Sequence, residues 1–332
     1  MSKHIRPALI CGLLVWFSSM TAVVNAALKP FIHEGIRVIR LDELADFYGG
    51  EMIPTPNADK VYVKTRVADL TFKPYSREVF IGSAMVMLHE PVSQARGSWV
   101  ISEVDALTGI DPIMRPAEYL KKAGHRVVVL DPGHGAEDSG AKGKQGVEEK
   151  RAVLDIARRV RSHLAAAGLV VYMTRENDRF IELEQRAQLA KRWGADVFVS
   201  IHLNSAASRS AKGAESYILA AEGFTSTAGG SRGSRAPGNK HDATNAALGF
   251  QIHRALVKQT GAADRGLRRA RFIVLRNAPC PSVLVECGFL SNAEEERKVM
   301  NPAYRDEIAR GLAKGIVNYV TLARKAQKRG TP

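Results

Sequence analysis

The chain has 332 residues, of which 45% are hydrophobic and 25% charged, as in a globular protein with a real core. This length suffices for one large domain or two ordinary ones. The formal net charge of +14 suits an anionic polymer or surface as the partner. The lack of a recognition motif and the small number of aromatic residues argue against nucleic acid.

Residues 1–26 have the features of a secretory signal. Lys3 and Arg6 supply the positive start, residues 8–24 form an apolar stretch, and Ala26 ends a short run suited to cleavage. A membrane anchor that is never removed is the alternative, although the stretch is short for a full span. We therefore predict a secreted protein that works in the periplasm or the cell envelope.

Beyond this segment the chain keeps two cysteines, Cys280 and Cys287, on either side of an extended run. Seven residues of strand would hold their Cα atoms roughly 23 Å apart, whereas a disulfide needs less than about 7 Å. Both cysteines are expected to be free thiols that pack in the core.

Residues 29–115 are predicted to form a small α+β domain. Runs of alternating polarity, such as Val61–Lys64, indicate strands, and residues 41–48 and 102–109 are typical of short helices. The segment has no cluster of histidines, cysteines or paired acids, so a spacer or binding role is favoured over catalysis. Residues 112–125, with two prolines and a glycine, are predicted to be a linker.

From residue 126 onward, strand and helix patterns alternate along the chain. Strands are predicted over residues 127–130, 169–174, 196–201, 215–219, 272–275 and 282–286, and helices over residues 148–167, 181–193, 245–259 and 302–323. This alternation predicts an α/β domain over residues 126–325, with a largely parallel sheet flanked by helices. In such sheets, ligands bind beyond the carboxyl ends of the strands. Residues 223–240, rich in Gly, Ser and Arg, are expected to form a mobile loop.

Four side chains that can handle metals or protons lie at the ends of these elements. His134 and His202 terminate or follow apolar runs, Glu149 starts a predicted helix, and Glu286 ends the run Pro281–Glu286. Two histidines and one carboxylate can hold a zinc ion and leave one coordination position open, which is typical of a catalytic site. We therefore predict Zn²⁺ held by His134, Glu149 and His202.

Glu286 is the candidate proton carrier. A carboxylate that emerges from a buried strand is costly unless it is paired or lies at an open site, so Glu286 suits a general base and acid. The alternative is an ion pair with Arg265 or Arg276. Asp131 is a candidate acceptor for the second ring nitrogen of a ligand histidine, with a turn-forming role as the alternative.

Several motifs in this part of the chain resemble those of one enzyme family. They are Val129-Leu-Asp-Pro-Gly-His-Gly-Ala, Gly146-Val-Glu-Glu-Lys150, Met173-Thr-Arg175, Ser200-Ile-His-Leu-Asn204 and Pro281-Ser-Val-Leu-Val-Glu-Cys-Gly-Phe. Over about residues 126–323, and in this order, the chain resembles the zinc-dependent N-acetylmuramoyl-L-alanine amidases of the cell wall. The resemblance implies that His134, Glu149 and His202 bind zinc and that Glu286 is catalytic.

The implied reaction is cleavage of the amide between N-acetylmuramic acid and L-alanine of the peptidoglycan stem peptide. Zinc-bound water would attack, and Glu286 would relay the proton. Asp131, Asn204 and Arg276 are further candidates for contacts with the metal ligands or the substrate. A zinc peptidase that cuts within the stem peptide and a non-catalytic wall-binding protein are the alternatives.

Some members of this family carry a long helical insertion that blocks the metal until an activator binds. The corresponding residues 221–243 are too few for such a helix, so an enzyme without this autoinhibition is expected. Residues 29–115 resemble the stalk-like domains related to the N-terminal domain of copper amine oxidases, and a spacer or wall-binding role is expected of them. We expect a monomer with peptidoglycan as its partner, and an activator or localising protein stays open.

Overall fold

The computed structural model describes residues 28–53, 59–121, 124 and 126–330 of the chain. The predicted secretory signal lies outside the described residues. Within the described part, no helix combines the length and the apolar character that a membrane crossing requires.

Short strands dominate the first segment. These are β1 (Phe31–His33), β2 (Ile36–Arg40), β3 (Glu51–Ile53), β4 (Val61–Lys64), β5 (Leu70–Phe72), β6 (Glu78–Ile81), β7 (Ala84–Met87), β8 (Ser93–Ala95) and β9 (Ser98–Ser102). Helix α1 (Leu41–Phe47) lies between β2 and β3. A π-helical stretch, Asp105–Ile110, then runs into α2 (Asp111–Met114) and is followed by α3 (Pro116–Tyr119).

Strands and helices alternate in the second segment, as the sequence predicts. Its elements are β10 (Val127–Pro132), α4 (Glu149–Ala166), β11 (Val170–Met173), α5 (Leu183–Arg192), β12 (Val197–Asn204), β13 (Ala214–Leu219), a 3₁₀ turn (Pro237–His241), α6 (Asp242–Thr260), β14 (Asp264–Ala270), α7 (Ile273–Arg276), β15 (Ser282–Phe289), α8 (Ala293–Met300) and α9 (Pro302–Gly330). Helix α4 shows why the pattern works: Val153, Ala157, Val160 and Leu164 form its buried stripe, and Gly168, with φ +76°, follows its end.

One large sheet runs through both segments, in the strand order β11-β10-β12-β15-β13-β14-β7-β6-β5-β4-β3. The strands β11, β10, β12 and β15 are parallel, whereas β13 is antiparallel to β15 and parallel to β14. Strand β7 joins β14 in parallel at Val86 and Leu267, and β3 to β7 form an antiparallel meander. The predicted α/β fold with a largely parallel sheet flanked by helices is confirmed.

Helices cover the two faces of the second segment's sheet. Residues such as Val128, Val199 and Val285 point to one face, where they share a core with α4, α6 and α9. Phe198 and Leu284 point to the opposite face, towards α5 and α7. Side chains of the first segment, including those of Val63, Leu70 and Val86, belong to the first of these cores. The two segments therefore share hydrophobic packing as well as a sheet.

Two predictions of local structure were wrong. Residues 272–275 were expected to be a strand, but they form the helical turn α7, and the strand at this point is β14 (Asp264–Ala270). This strand was not predicted because a run rich in arginine is typical of a polar loop. In the structure, Arg265 and Arg268 of β14 instead form ion pairs with Glu215. Residues 112–125 were expected to be a linker, yet Ile113, Met114 and Leu120 are buried.

The junction between the segments buries a polar cluster around His89. Its Nδ1 lies 2.9 Å from Asp105 Oδ1, and its Nε2 accepts a hydrogen bond from the N–H of Ala221 at 3.0 Å. The proton of the neutral ring therefore lies on Nδ1. Burial, together with the positive charge of Arg269, lowers the pKa of His89 to about 4.

This shift predicts that acid weakens the junction. The folded-state pKa of His89 lies below the ordinary value of 6.5, so the unfolded chain binds more protons as pH falls between these two values. The free energy of unfolding should fall by roughly 1.5 kcal/mol from pH 6.5 to pH 5 on account of this group alone. Denaturant titrations at both pH values should show a smaller difference for His89→Gln than for the wild type. An equal difference in both proteins would contradict the assignment.

Candidate metal centre and catalytic cleft

The turn after β10 brings His134 to the carboxyl edge of the sheet. Its backbone is left-handed, with φ +61°, which is uncommon for a residue other than glycine. A Cβ at Gly133 would lie 2.1 Å from the ring of His202, and a Cβ at Gly140 would lie 2.5 Å from Glu149 Oε2. Both glycines are required because they let the histidine rings and the carboxylate come close together.

Two buried arginines hold this turn through its carbonyl oxygens. Arg175 donates from Nε to the oxygen of Pro132 at 2.9 Å and from Nη2 to that of Gly133 at 2.6 Å. Arg186 donates to the oxygens of Pro132 at 3.0 Å and His134 at 3.1 Å. Hydrogen bonds from a charged donor are the strong ones, so they can maintain the uncommon backbone conformation of His134.

Glu149 is the first residue of α4, and its side chain reaches back to the strand ends. Oε1 lies 3.1 Å from His134 Nε2 and 2.9 Å from His202 Nδ1. The same oxygen accepts the N–H of Leu203 at 3.0 Å, and Oε2 accepts the N–H of Ala141 at 2.8 Å. Backbone donors thus fix the carboxylate between the two histidines.

The three predicted metal ligands therefore converge. One ligand atom from each of His134, Glu149 and His202 lies within 4.8 Å of the other two. Two ring nitrogens and a carboxylate oxygen form a donor set that suits zinc. The second ring nitrogen of His134, Nδ1, lies 2.7 Å from Asp138 Oδ2, the kind of acceptor that orients a ligand histidine. The residues present fit the predicted metal.

The charges in this cluster act on one another. Burial works to lower the pKa of His134, but hydrogen bonds and charge from Glu149 and Asp138 outweigh it and raise this pKa. Burial works to raise the pKa of Glu149, but the two histidines outweigh it and hold this pKa well below its usual range. Glu149 is therefore ionised at neutral pH, which is the state that binds a cation.

Glu286 reaches the cleft from β15. It is in register with His202 on β12 and with Glu215 on β13, so these three residues form a row across the sheet. Its Oε2 is buried and has no hydrogen-bond partner among the described residues. Burial, and then the negative charges of Glu149 and Glu215, raises the pKa of Glu286 well above its ordinary value. Glu286 thus lines the cavity and has one carboxyl oxygen without a protein partner.

The alternative for Glu286, an ion pair with Arg265 or Arg276, is not formed in the described residues. Arg265 instead donates to Glu215 at 2.8 Å, and Arg268 donates to the same oxygen at 3.0 Å. Sequence reasoning missed Glu215, although it gives the same signal as Glu286, a lone acid in an apolar strand. Glu215 also accepts hydrogen bonds from Asn204 and Tyr217.

A cavity of 720 Å³ opens over this cluster. Its rim carries three large apolar side chains that are exposed: Phe180, Leu183 and Phe272. Residues 221–236 form no helix, and none of residues 221–243 lines the cavity. A volume of this size and an apolar rim are typical of a site for an organic ligand.

The three remaining candidates have different positions. Asp131 is buried and accepts hydrogen bonds from Thr174, Arg186 and Ser200, so the expectation that it orients a ligand histidine was wrong. Its side chain points to the face where α5 brings Arg186, and Asp138 is the acceptor instead. Asn204, like Asp131, is among the residues that line the cavity.

Arg276 is exposed at the end of α7 and does not line the cavity. Arg271, five residues earlier, lines it and donates to the oxygen of Ala220 at 3.0 Å. The sequence pattern could not distinguish Arg271 from Arg276 because it indicated a strand over residues 272–275, where the chain forms α7.

A model of the N-acetylmuramoyl-L-alanine amidase family matches residues 128–318, which are more than half of the chain. The chain belongs to this family. The amidase AmiA from Escherichia coli strain K12 is 36% identical over 60% of this chain and 78% of its own length. The amidase LytC from Bacillus subtilis strain 168 is 36% identical over 58% of this chain, but the match spans only 35% of LytC.

The fold of the solved relatives agrees with this membership. The catalytic domain of the amidase CwlV from Bacillus (Paenibacillus) polymyxa var. colistinus is 36% identical, with a TM-score of 0.51 over 59% of this chain and 99% of that domain. The amidase AmiC2 of Nostoc punctiforme is 33% identical, with a TM-score of 0.51 and coverages of 60% and 99%. The predicted enzyme family is confirmed. Residues 29–115 lie before the matched region, so their likeness to copper amine oxidase domains stays a prediction.

Two matched substitutions separate the roles of Asp131 and Asp138 in the amidase. Asp131→Asn leaves the buried guanidinium of Arg186 without its counter-charge, so the free energy of unfolding should fall by about 3–5 kcal/mol. Asp138→Asn should leave stability nearly unchanged but weaken metal binding by about 10–100-fold. Denaturant titration and competition for Zn²⁺ with a chelating dye measure the two effects. The opposite pattern would return Asp131 to the role of orienting a metal ligand.

Proposed function

We propose that this chain hydrolyses the amide between N-acetylmuramic acid and L-alanine in peptidoglycan, in a zinc-dependent reaction. The observation that carries the proposal is the convergence of His134, Glu149 and His202 beside the unpartnered carboxyl of Glu286. Membership of the amidase family supports the choice of bond.

In this proposal, His134, Glu149 and His202 hold the zinc ion, and Asp138 orients His134 through its Nδ1. When bound, zinc polarises the carbonyl of the scissile amide and lowers the pKa of water. The backbone donors of Ala141 and Leu203 keep the carboxylate of Glu149 in place. Because these hydrogen bonds are already formed, little rearrangement of Glu149 is needed when the substrate binds.

Glu286 moves the proton. Its carboxylate takes a proton from the water as the new C–O bond forms, and it gives that proton to the amine nitrogen of L-alanine as the C–N bond breaks. Burial and neighbouring acids favour the protonated form of Glu286, whereas a cation in the cluster favours the ionised form. These opposing effects keep the group able to accept and release a proton.

The cleft and the overall charge suit this substrate. Phe180, Leu183 and Phe272 on the rim offer apolar surface to the sugar and the peptide on either side of the bond. The excess of 48 basic over 34 acidic side chains attracts the carboxylates of stem peptides. Secretion to the cell envelope, proposed from residues 1–26, would bring the enzyme to this polymer.

A zinc peptidase that cuts within the stem peptide would use the same metal ligands, so product analysis decides between the two. Residues 27–332 are incubated with purified peptidoglycan, with and without a chelator. We expect free stem peptides that begin with L-alanine, loss of the activity on chelation and recovery with Zn²⁺. Release should need no added activator, since no helix of residues 221–236 covers the cavity. Cuts inside the peptide would contradict the proposal.

Glu286→Gln tests the proton carrier. The turnover number should fall by about 10²–10⁴-fold because the general base and acid is lost, while bound Zn²⁺ stays at the wild-type level. Glu182→Gln is the matched control, since Glu182 is an exposed acid on the rim of the same cavity. Its turnover should match the wild type. Full activity of Glu286→Gln would remove Glu286 from the mechanism.

A further inference from the structure

The outward face of the first segment's meander carries a row of side chains in register. Strand pairing places Ile53 opposite Tyr62, Tyr62 opposite Thr71, Thr71 opposite Phe80 and Phe80 opposite Met85. These five residues, here called the cross-strand row, run perpendicular to β3–β7. Neighbours in a row across a sheet present one common surface.

Three apolar residues of the cross-strand row are exposed, whereas Thr71 and Met85 are half-buried. Ile53, Tyr62 and Phe80 are 40%, 36% and 38% exposed. The alternate residues of the same strands, such as Val63 and Val79, are fully buried in the core on the opposite face. Among the described residues, nothing packs over these three side chains closely enough to bury them.

This exposed face continues the face of the sheet that carries the catalytic cleft. Val86 is in register with Leu267, Leu267 with Ser216, and Ser216 with Val285. All four point to the other face, where Ser216 lies 3.1 Å from His253 of α6. Met85 and Glu286 are each next to one of these inward residues, so both point to the opposite, shared face.

At the junction between the segments, β7 pairs with β14, so the sheet that carries this face runs from one segment into the other. The side chain of Met85 lies over Gly266, where a Cβ would be 3.1 Å from Met85 Cε. Six strand steps separate Glu286 from Tyr62, which is about 29 Å along the sheet. The sheet twists by roughly 20–25° at each step, so the cross-strand row faces away from the cleft itself and can bind a neighbouring part of a polymer.

The size of the exposed surface suits a narrow ligand better than a second copy of the chain. Three large side chains that are about 40% exposed offer roughly 200–300 Å². A stable protein interface needs about 800 Å² from each partner. Charged pairs, Glu51 with Lys64 and Lys73 with Glu78, border the row on both sides. The apolar strip is therefore one side chain wide, which fits a linear polymer.

We propose that the cross-strand row binds the glycan strand of peptidoglycan. This choice of occupant rests on the proposed function, which makes a glycan–peptide polymer the substrate. Aromatic rings pack well against the C–H faces of sugars, and Tyr62 and Phe80 lie two strands apart, or roughly 10 Å. The hydroxyl of Thr71 between them can bond a sugar hydroxyl. The row tethers the enzyme to one stretch of glycan while the cleft acts on another.

The test measures binding without cleavage. The full chain carrying Glu286→Gln is sedimented with insoluble peptidoglycan and, separately, with glycan strands stripped of stem peptides. Tyr62→Ala with Phe80→Ala should weaken binding to both polymers by about tenfold or more. Tyr62→Leu with Phe80→Leu keeps the apolar bulk but removes the rings, and should show the same loss. Tyr172→Ala is the control, since Tyr172 is 40% exposed on β11 at the far edge of the sheet.

Three results would overturn the proposal. The first is that both double variants and the control Tyr172→Ala bind the polymers as tightly as the parent protein does. The second is binding to intact peptidoglycan that disappears on stripped glycan, because the ligand is then the peptide. The third is that sedimentation analysis shows a dimer of the parent protein but monomers of the double variants, because the row is then an interface between two copies of the chain. Digestion by the wild-type chain separately reports on the proposed function, so loss of glycan binding in the variants stands even if no stem peptide is released.

Discussion

The contact between two buried guanidinium groups and the carbonyl oxygens of residues 132–134 determines the geometry of the site. His134 needs an uncommon left-handed backbone to turn its ring towards Glu149. Arg175 and Arg186 stabilise that conformation from beneath the turn, and Asp131 balances the charge of Arg186 at 2.8 Å. Burying an arginine without such partners would be costly. The same contacts that allow the charge inside the protein thus also orient His134, the first of the predicted metal ligands.

The cleft concentrates acids, and the surrounding groups compensate them unequally. Glu149 lies between two histidines, and Glu215 receives four hydrogen-bond donors, two of them arginines. Glu286 stands between these two acids without a partner for Oε2. Because both neighbours are already balanced, we expect the protonation state of Glu286 to depend on what binds in the cavity. The row His202, Glu286 and Glu215 shows that strand register alone creates this arrangement.

Sequence reasoning predicted the elements and residues that depend on local pattern. The apolar strands that lead to His134 and carry His202, the helix that starts at Glu149 and the α/β fold all follow from periodicity and from the positions of the strands. It failed where long-range pairing decides. The arginines of β14 look like a loop until Glu215 is placed beside them, and Asp131 looks like a partner for histidine until α5 supplies Arg186. No pattern in the chain shows which strands become neighbours, and so the link between β7 and β14 was not foreseen.

That link has a consequence for how the chain can be divided. A protein cut before β10 would lose β7, and β14 would become the last strand of its sheet. Its backbone N–H and C=O groups would then face solvent unpaired, which invites pairing with other molecules and aggregation. Arg269, which is almost completely buried, would also lose the charge of Asp105, whose Oδ1 lies 4.0 Å from its Nη2. In this chain the amidase region therefore depends on the segment before it to pair the edge strand β14 and so to keep that edge from aggregating.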